Sequence, residues 1–554
     1  MNSVSLCARA SHLGARASHL RAHAAPRLRH AAAISILGVL AACGGGGGGG
    51  DANPADVRIA QENCSFGYAA QAPQGGTGDD PLLPNQWHLR NRGQAGGSVG
   101  EDVRAIDAWS ASGKGEGVRL AVVDDAIETL HEDLFPNVAA FRNYRTGAPP
   151  DTHPLPCESA DTHGTAVAGI AAARDGNGRG VAGVAPRVSL AAYNALTTSQ
   201  EADVADALRR DGDVTGVYNN SWGSPDRRGT LSASGTTFRN AILDGVAHGR
   251  GGLGAVYVFP AGNGGCPSGT SCSPDDSNYD GYVNGLGILA ACAVDDEGHG
   301  PVYAEPGANI LVCGMSDGGT AGSPGITTTD VRNGYRSDFS GTSASTPMVS
   351  GVAALVLQAN PSLTWRDVRL ILASTARKND PGSSGWQTNQ AGLRVHPLYG
   401  FGVVDAEAAT ARARSWSSVG RSDSLRSCPY TRSPDKPLRD ATTISDTIAV
   451  GADCPISRIE FVEIGFSATH SYSGDLQIEL QRPGISPPAR LADTRVCRDS
   501  LGASISCGAY DGWVFGSVRN LDEAAQGEWT LAVSDNAPAD EGRWTAWSLT
   551  IWGR

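Results

Sequence analysis

The chain has 554 residues, 40% of them hydrophobic and 18% charged, with 72 glycines. That is too long for one ordinary core and too apolar for a disordered chain, so a large domain with at least one smaller module is expected. The formal net charge is −13, and because residues 1–42 carry five Arg and no Lys, Asp or Glu, the body without them stands at −18; so acidic a body excludes nucleic acid as a partner and suits cationic ligands such as calcium or basic peptides.

Residues 1–42 have the form of an export signal, with an Arg-bearing start as far as Arg29 and an apolar run over 31–42 that is too short to span a bilayer. Leu40-Ala41-Ala42-Cys43 resembles a lipobox, which implies cleavage and diacylation at Cys43; a plain secretory signal with a coincidental Cys is the alternative. The expected location is the cell envelope outside the cytoplasm, as an outer-membrane lipoprotein, in the periplasm or at the cell surface, or as a secreted protein. Residues 43–79, opening with glycines 44–50, read as a flexible tether and linker. Ten Cys remain beyond Cys7 and Cys43, none in a Cys-x-x-Cys pair, which favours disulfides over zinc. Short loops suggest Cys266–Cys272, Cys292–Cys313, Cys428–Cys454 and Cys497–Cys507, leaving Cys64 with Cys157, although spacing alone does not fix connectivity.

Over 80–411, short apolar runs alternate with amphipathic segments. Strands are predicted at 118–123, 189–195, 214–218, 255–259 and 288–294, and helices at 163–173, 200–210, 236–248, 345–357 and 364–376. This alternation predicts an α/β fold with a doubly wound, mostly parallel sheet. Residues 412–440, rich in Arg, Ser and Pro, read as a linker. Residues 441–554 hold short strands without helices, at 456–466, 475–480, 528–533 and 544–552, which predicts an all-β sandwich.

Three stretches carry chemistry. Asp338-Phe-Ser-Gly-Thr-Ser-Ala-Ser-Thr-Pro-Met348 is a small-residue turn running into an apolar helix; it presents the Ser343 hydroxyl beside backbone N–H groups. Val118-Arg-Leu-Ala-Val-Val-Asp124-Asp125 is a strand ending in two carboxylates, at the edge where α/β sheets gather catalytic groups. Asp161-Thr-His163-Gly-Thr-Ala-Val-Ala-Gly169 places a His at the start of a helix of small residues. Each alone is also an ordinary cap, strand end or structural His; the three together, in the order Asp, His, Ser, are not expected by chance.

In that order and context the chain resembles the subtilisin-like serine proteases over about residues 80–411, including the closing Tyr399-Gly-Phe-Gly-Val-Val-Asp-Ala406. The resemblance implies Ser343 as nucleophile, His163 as proton shuttle and Asp124 as the residue that orients it. Val256-Tyr-Val-Phe-Pro-Ala-Gly-Asn263 matches the strand whose Asn donates to the oxyanion, and Asn219-Asn-Ser221-Trp222-Gly223 the segment that pairs with the substrate backbone. The Asp124-Asp125 tandem, Asp80-Pro-Leu-Leu-Pro-Asn-Gln-Trp87 and Asn278-Tyr-Asp-Gly-Tyr282 resemble the kexin/furin branch. There, acids corresponding to Asp226 and Asp280 floor the primary pocket and select Arg or Lys, and Asp125 faces the preceding substrate residue; a broad-specificity degradative subtilisin is the alternative. Ala160 and Arg209 stand where that branch carries acids, which leaves dibasic selection open.

The resemblance also implies calcium. One site would use Asp80, Asp133 and the loop Asp175-Gly-Asn177-Gly-Arg179-Gly-Val181, with Asn177 through its side chain and others through backbone oxygens; a second would use Asp226, Asp275 and Glu305. Thr469-His-Ser-Tyr-Ser-Gly-Asp475-Leu, Gln481-Arg-Pro-Gly, Gly512-Trp513, Gly527-Glu-Trp529 and Asp535 resemble the jelly-roll-like P domain of the same branch; a β-domain binding partners in place of catalysis is the bland alternative. The stretch between Cys43 and Asp80 is too short for the family's folded inhibitory propeptide, so either folding is aided by calcium or by a separate chaperone, or inhibition comes from elsewhere. Polypeptides are the expected substrates and the N-terminal lipid the expected membrane link.

Overall fold

The computed structural model describes Cys64 and residues 76–266, 274–482 and 487–554, all within one compact unit, Gly49–Arg554. The export signal, Cys43 and nearly all of the tether lie outside the described residues, as does Cys272.

Seven parallel strands form the central sheet: β1 (Arg119–Val123), β2 (Val138–Arg142), β3 (Ser189–Tyr193), β4 (Thr215–Asn219), β5 (Val256–Pro260), β6 (Ile288–Val294) and β7 (Ile310–Met315). Their order is β2-β3-β1-β4-β5-β6-β7, so the chain reverses direction across the sheet at β1. β4 to β7 are buried at every residue, as a parallel sheet covered on both faces requires. The predicted strands fall within a residue or two of β1, β3, β4, β5 and β6. β7 meets the same criterion and extends the sheet, whereas β2 is an edge strand whose half-exposed residues give no apolar run. Cys292 and Cys313 are direct partners in the β6–β7 register and are disulfide-bonded; Cys64–Cys157, Cys428–Cys454 and Cys497–Cys507 are bonded as the short-loop reading had them.

The helix Thr342–Ala359 is buried through nearly its whole length and packs against β4 to β7 and against the helix His163–Ala172. Pro347 lies inside it and cannot donate to the carbonyl four residues earlier, that of Ser343. The Ser221 hydroxyl donates to that carbonyl instead, at 3.1 Å.

The C-terminal region is a sandwich of two antiparallel sheets. One holds Arg426–Arg432, Gly542–Gly553, Ile459–Ala468 and Tyr510–Ser517, with Lys436–Leu438 alongside; the other holds Thr442–Val450, Gly527–Asp535, Leu476–Gln481 and Ala489–Ala492. Burial alternates along Gly542–Gly553, and Trp529, Trp544 and Trp547 fill the core. The expected linker 412–440 needs correction: residues 426–432 and 436–438 are strands paired with Gly542–Gly553. On the first of them only Cys428 is buried, so no apolar period shows in the sequence.

Candidate active site

Asp124 follows the carboxyl end of β1, where the sheet order reverses, and its Oδ1 accepts a hydrogen bond from His163 Nδ1 at 2.8 Å. Asp124 is buried, and its Oδ2 has no partner among the described residues. The close approach depends on small residues: a Cβ on Gly164 would lie 2.4 Å from the Ala126 carbonyl and 2.8 Å from Asp124 Cβ. Burial alone would lower the His163 pKa, but the charge and hydrogen bond of Asp124, helped by Asp125, outweigh it and push the pKa up to about 9.

Ser343 is the second residue of its helix, entered through Gly341 at φ 79°. Its hydroxyl donates to the Ser221 carbonyl at 3.2 Å, and Ser343 and His163 line one cavity of about 620 Å³. The Asn263 Oδ1 accepts from the Thr342 N–H at 2.8 Å and from the Thr342 hydroxyl at 2.9 Å. Those bonds fix the amide so that Nδ2 is left for a ligand beside Ser343. Thr342 thus orients Asn263, a role that motif reading missed because Thr342 passes for a spacer between Gly341 and Ser343.

Asp125 has a structural role that its sequence motif did not show. Its carboxylate accepts from the N–H groups of Gly164 at 2.8 Å and His163 at 3.2 Å, capping a helix whose own N-cap residue makes no side-chain bond. Burial first, then the Asp124 charge, raise its pKa to about 7. It positions His163 and remains partly exposed beside it.

Ser221, Trp222 and Gly223 form one wall of a second cavity of about 330 Å³ that opens on Ser343 and Asn263. Trp222 Nε1 donates to the Val123 carbonyl at 2.9 Å, tying this wall to β1. Five carboxylates line the cavity, those of Asp226, Asp275, Asp276, Asp280 and Glu305, and no basic residue does among the described residues. Asp280 accepts from the Ser224 and Tyr282 N–H groups and from the Ser224 hydroxyl; burial raises its pKa, with Asp226 adding to the rise. Asp226 accepts from the Asn263 N–H and borders both cavities. Asp276, not singled out in the sequence, is a buried cap on Asn278, and burial pushes it up to about 8; its tandem with Asp275 was the available signal.

Two acid clusters lie where calcium was expected. Asp80 and Asp133 are buried without an ion-pair partner among the described residues, and burial raises both, Asp133 to about 6 with Asp80 contributing. Asn177 joins them, donating its Nδ2 to Asp133 and its N–H to Asp80, and the Val181 N–H reaches Asp133 at 2.9 Å. Arg179 folds over Asn177 through its own N–H. Asp175 stands apart: its carboxylate pairs with Lys114 and Arg187, and its carbonyl accepts from Arg187. In the second cluster, Glu305 is driven well above the carboxylate range by burial and by Asp275 and Asp226.

An Asp–His pair, a helix-borne serine and a fixed amide on a parallel α/β sheet define the machinery of a serine hydrolase. Residues 115–402 match the Subtilase family (Peptidase S8) and residues 459–551 the proprotein convertase P-domain, and the chain belongs to the subtilase family. Among its relatives, proprotein convertase subtilisin/kexin type 6 of Rattus norvegicus is 32% identical over 494 residues, 86% of this chain and 50% of that one. Neuroendocrine convertase 2 of Drosophila melanogaster is 31% identical over 488 residues, covering 86% of this chain and 72% of that protein. The chain spans about half the length of the type 6 convertases it matches. The crystal structure of a serine protease of Aeromonas sobria is similar at a TM-score of 0.75 and 25% identity, covering 89% of this chain and 98% of that one. That protease has also been crystallised in complex with a chaperone.

Proposed function

We propose that the protein is an extracytoplasmic, calcium-dependent serine endopeptidase that cuts after Arg or Lys. The observation that carries the specificity is the acidic cavity beside Ser343, with Asp226 and Asp280 in its lining and no basic side chain there among the described residues. A guanidinium entering such a low-dielectric pocket gains charge-assisted bonds that an apolar side chain forfeits.

Ser343 Oγ attacks the peptide carbonyl carbon while His163 Nε2 takes its proton, and Asp124 holds the other ring N–H and stabilises the imidazolium. Asn263 Nδ2 donates to the developing oxyanion, a contribution of roughly 3 kcal/mol. His163 returns the proton to the leaving amine, and water then cleaves the acyl-enzyme by the same exchange. Asp80, Asp133 and Asn177, and separately Asp275, Glu305 and Asp226, would hold calcium, which supplies charge neutralisation where burial opposes ionised carboxylates. The disulfides favour an oxidising compartment, and export with lipid anchoring at Cys43 completes the reading, together with a separate folding chaperone.

The test is kcat/KM on matched peptides with Arg, Lys, Leu or Phe before the scissile bond, with and without calcium, using Ser343→Ala as blank. Arg is expected to lead Leu by about a hundredfold or more, about 2.7 kcal/mol. Leu or Phe in first place would leave the hydrolase and remove the basic specificity.

A further inference from the structure

The sandwich holds a buried polar cluster that peptide hydrolysis does not use. His470 lies just past the strand Ile459–Ala468, Asp475 opens Leu476–Gln481 and Asp535 closes Gly527–Asp535. They are 0%, 7% and 1% exposed, and one donor atom from each lies within 4.8 Å of the others. Among the described residues no hydrogen bond reaches the Asp475 carboxylate.

The imidazole of His470 is ringed mostly by oxygens. Nδ1 lies 2.9 Å from the Tyr472 carbonyl; Nε2 lies 2.8 Å from the Asp540 carbonyl and 3.2 Å from Asp535 Oδ2. The Tyr472 N–H donates to Nδ1 at 3.2 Å where Nδ1 carries no proton. Carbonyl oxygens only accept, and a neutral imidazole has one N–H to give. With Nε2–H on the Asp540 carbonyl, Nδ1 accepts from the Tyr472 N–H and the ring is satisfied without an ion; with Nδ1–H on the Tyr472 carbonyl, the Nε2 lone pair faces two oxygens, the Asp475 carboxylate is close by, and a cation is what balances them.

We propose that His470 Nε2, Asp475 and Asp535, joined by the Asp540 carbonyl, bind one divalent ion of the zinc class. A dication neutralises the two carboxylates and turns the crowded acceptors into ligands. The ring N–H given to the Tyr472 carbonyl is the bond that fixes a metal-ligating His in its tautomer. The imidazole nitrogen distinguishes this site from the all-oxygen clusters of the catalytic domain, since calcium and magnesium take oxygen donors. The ion would clamp the segment 469–475 to the turn 535–542, and so close one end of the sandwich.

The full-length protein, held in excess calcium to fill hard-oxygen sites, is titrated with zinc by calorimetry, and the zinc retained per chain is measured by mass spectrometry. One equivalent is expected, with a rise in Tm. Asp475→Asn removes a buried carboxylate that has no hydrogen bond, so metal-free it should be at least as stable as the parent, yet bind zinc about a hundredfold more weakly or worse. His470→Gln should lose the visible absorption that cobalt gives in the parent. Absence of zinc binding in excess calcium, unchanged affinity in Asp475→Asn, or a response to calcium alone overturns the proposal. If His470→Gln does not fold, the parent's stoichiometry and Asp475→Asn decide it.

Discussion

Asp124 and Asp125 are adjacent in sequence and do different work. Asp124 faces the imidazole ring of His163, while Asp125 faces the backbone that carries it. A general base works as the neutral ring, so with a pKa near 9 the proposed activity should rise with pH along a limb in the alkaline range. Asp124→Asn removes the charge that outweighs burial. The limb should therefore move to lower pH while kcat falls by about ten-thousandfold, because the ring loses its tautomer and its counter-charge. A pH profile of kcat/KM checks both, and an unmoved limb would mean that Asp124 does not set the His163 pKa. The triad positions were legible because each sits in a local motif. The helix-capping role of Asp125 was not, because its N–H partners lie 38 and 39 residues away and only the fold brings them to the end of β1.

At the scale of elements, the acidic cavity is bounded by two segments, 221–230 and 275–280, that the sandwich holds from behind. Arg495 reaches both. It is buried, its Nε donates to the Gly229 carbonyl at 2.5 Å, and its guanidinium lies 4.3 Å from the Tyr279 ring centre. Gly229 in turn donates to Asp275, and Tyr279 lines the cavity. Arg495→Met should loosen both walls and raise Asp276 further, since the Arg495 charge now pulls its pKa down. KM for Arg peptides should rise on the order of tenfold, about 1.4 kcal/mol, with kcat changed much less. Arg495→Lys should not rescue it, because an ammonium neither stacks nor forks like guanidinium. Steady-state kinetics on the Arg peptide decide it; equal losses in kcat and kcat/KM would place the effect in the triad. Elements buried on both faces, such as β5 and β6, were readable as apolar runs. Arg426–Arg432 was not, because an edge strand with one buried residue looks like linker until Gly542–Gly553 pairs with it.

Across the whole molecule, one buried ion pair joins the catalytic domain to the sandwich. Arg366, on the helix Trp365–Thr375, donates two bonds to Glu460, at 2.5 and 2.8 Å, with side chains 0% and 7% exposed. The same guanidinium also donates to the carbonyl of Arg421 and the hydroxyl of Ser424, in the segment between the two cores. Nothing in the sequence announces a contact across 94 residues, so the docking of the two domains was the least legible part of the fold. Two opposed effects act on such a pair: dehydrating both charges is unfavourable, and stranding one of them is worse. Glu460→Leu alone leaves the guanidinium buried and unbalanced, with Arg369 and Arg554 adjoining the same site, and should destabilise the protein by about 3–5 kcal/mol. Arg366→Met alone strands the carboxylate less completely, because Arg554 Nη1 remains 3.1 Å from Glu460, and should be milder. The double variant should recover much of the loss, with a coupling of about 1–3 kcal/mol, since the two residues act as one unit. Chemical denaturation of the four proteins in the cycle measures this directly. Losses that simply add would show that each residue contributes through its separate neighbours, and that the domains are held by apolar packing such as that of Phe461 against the catalytic core.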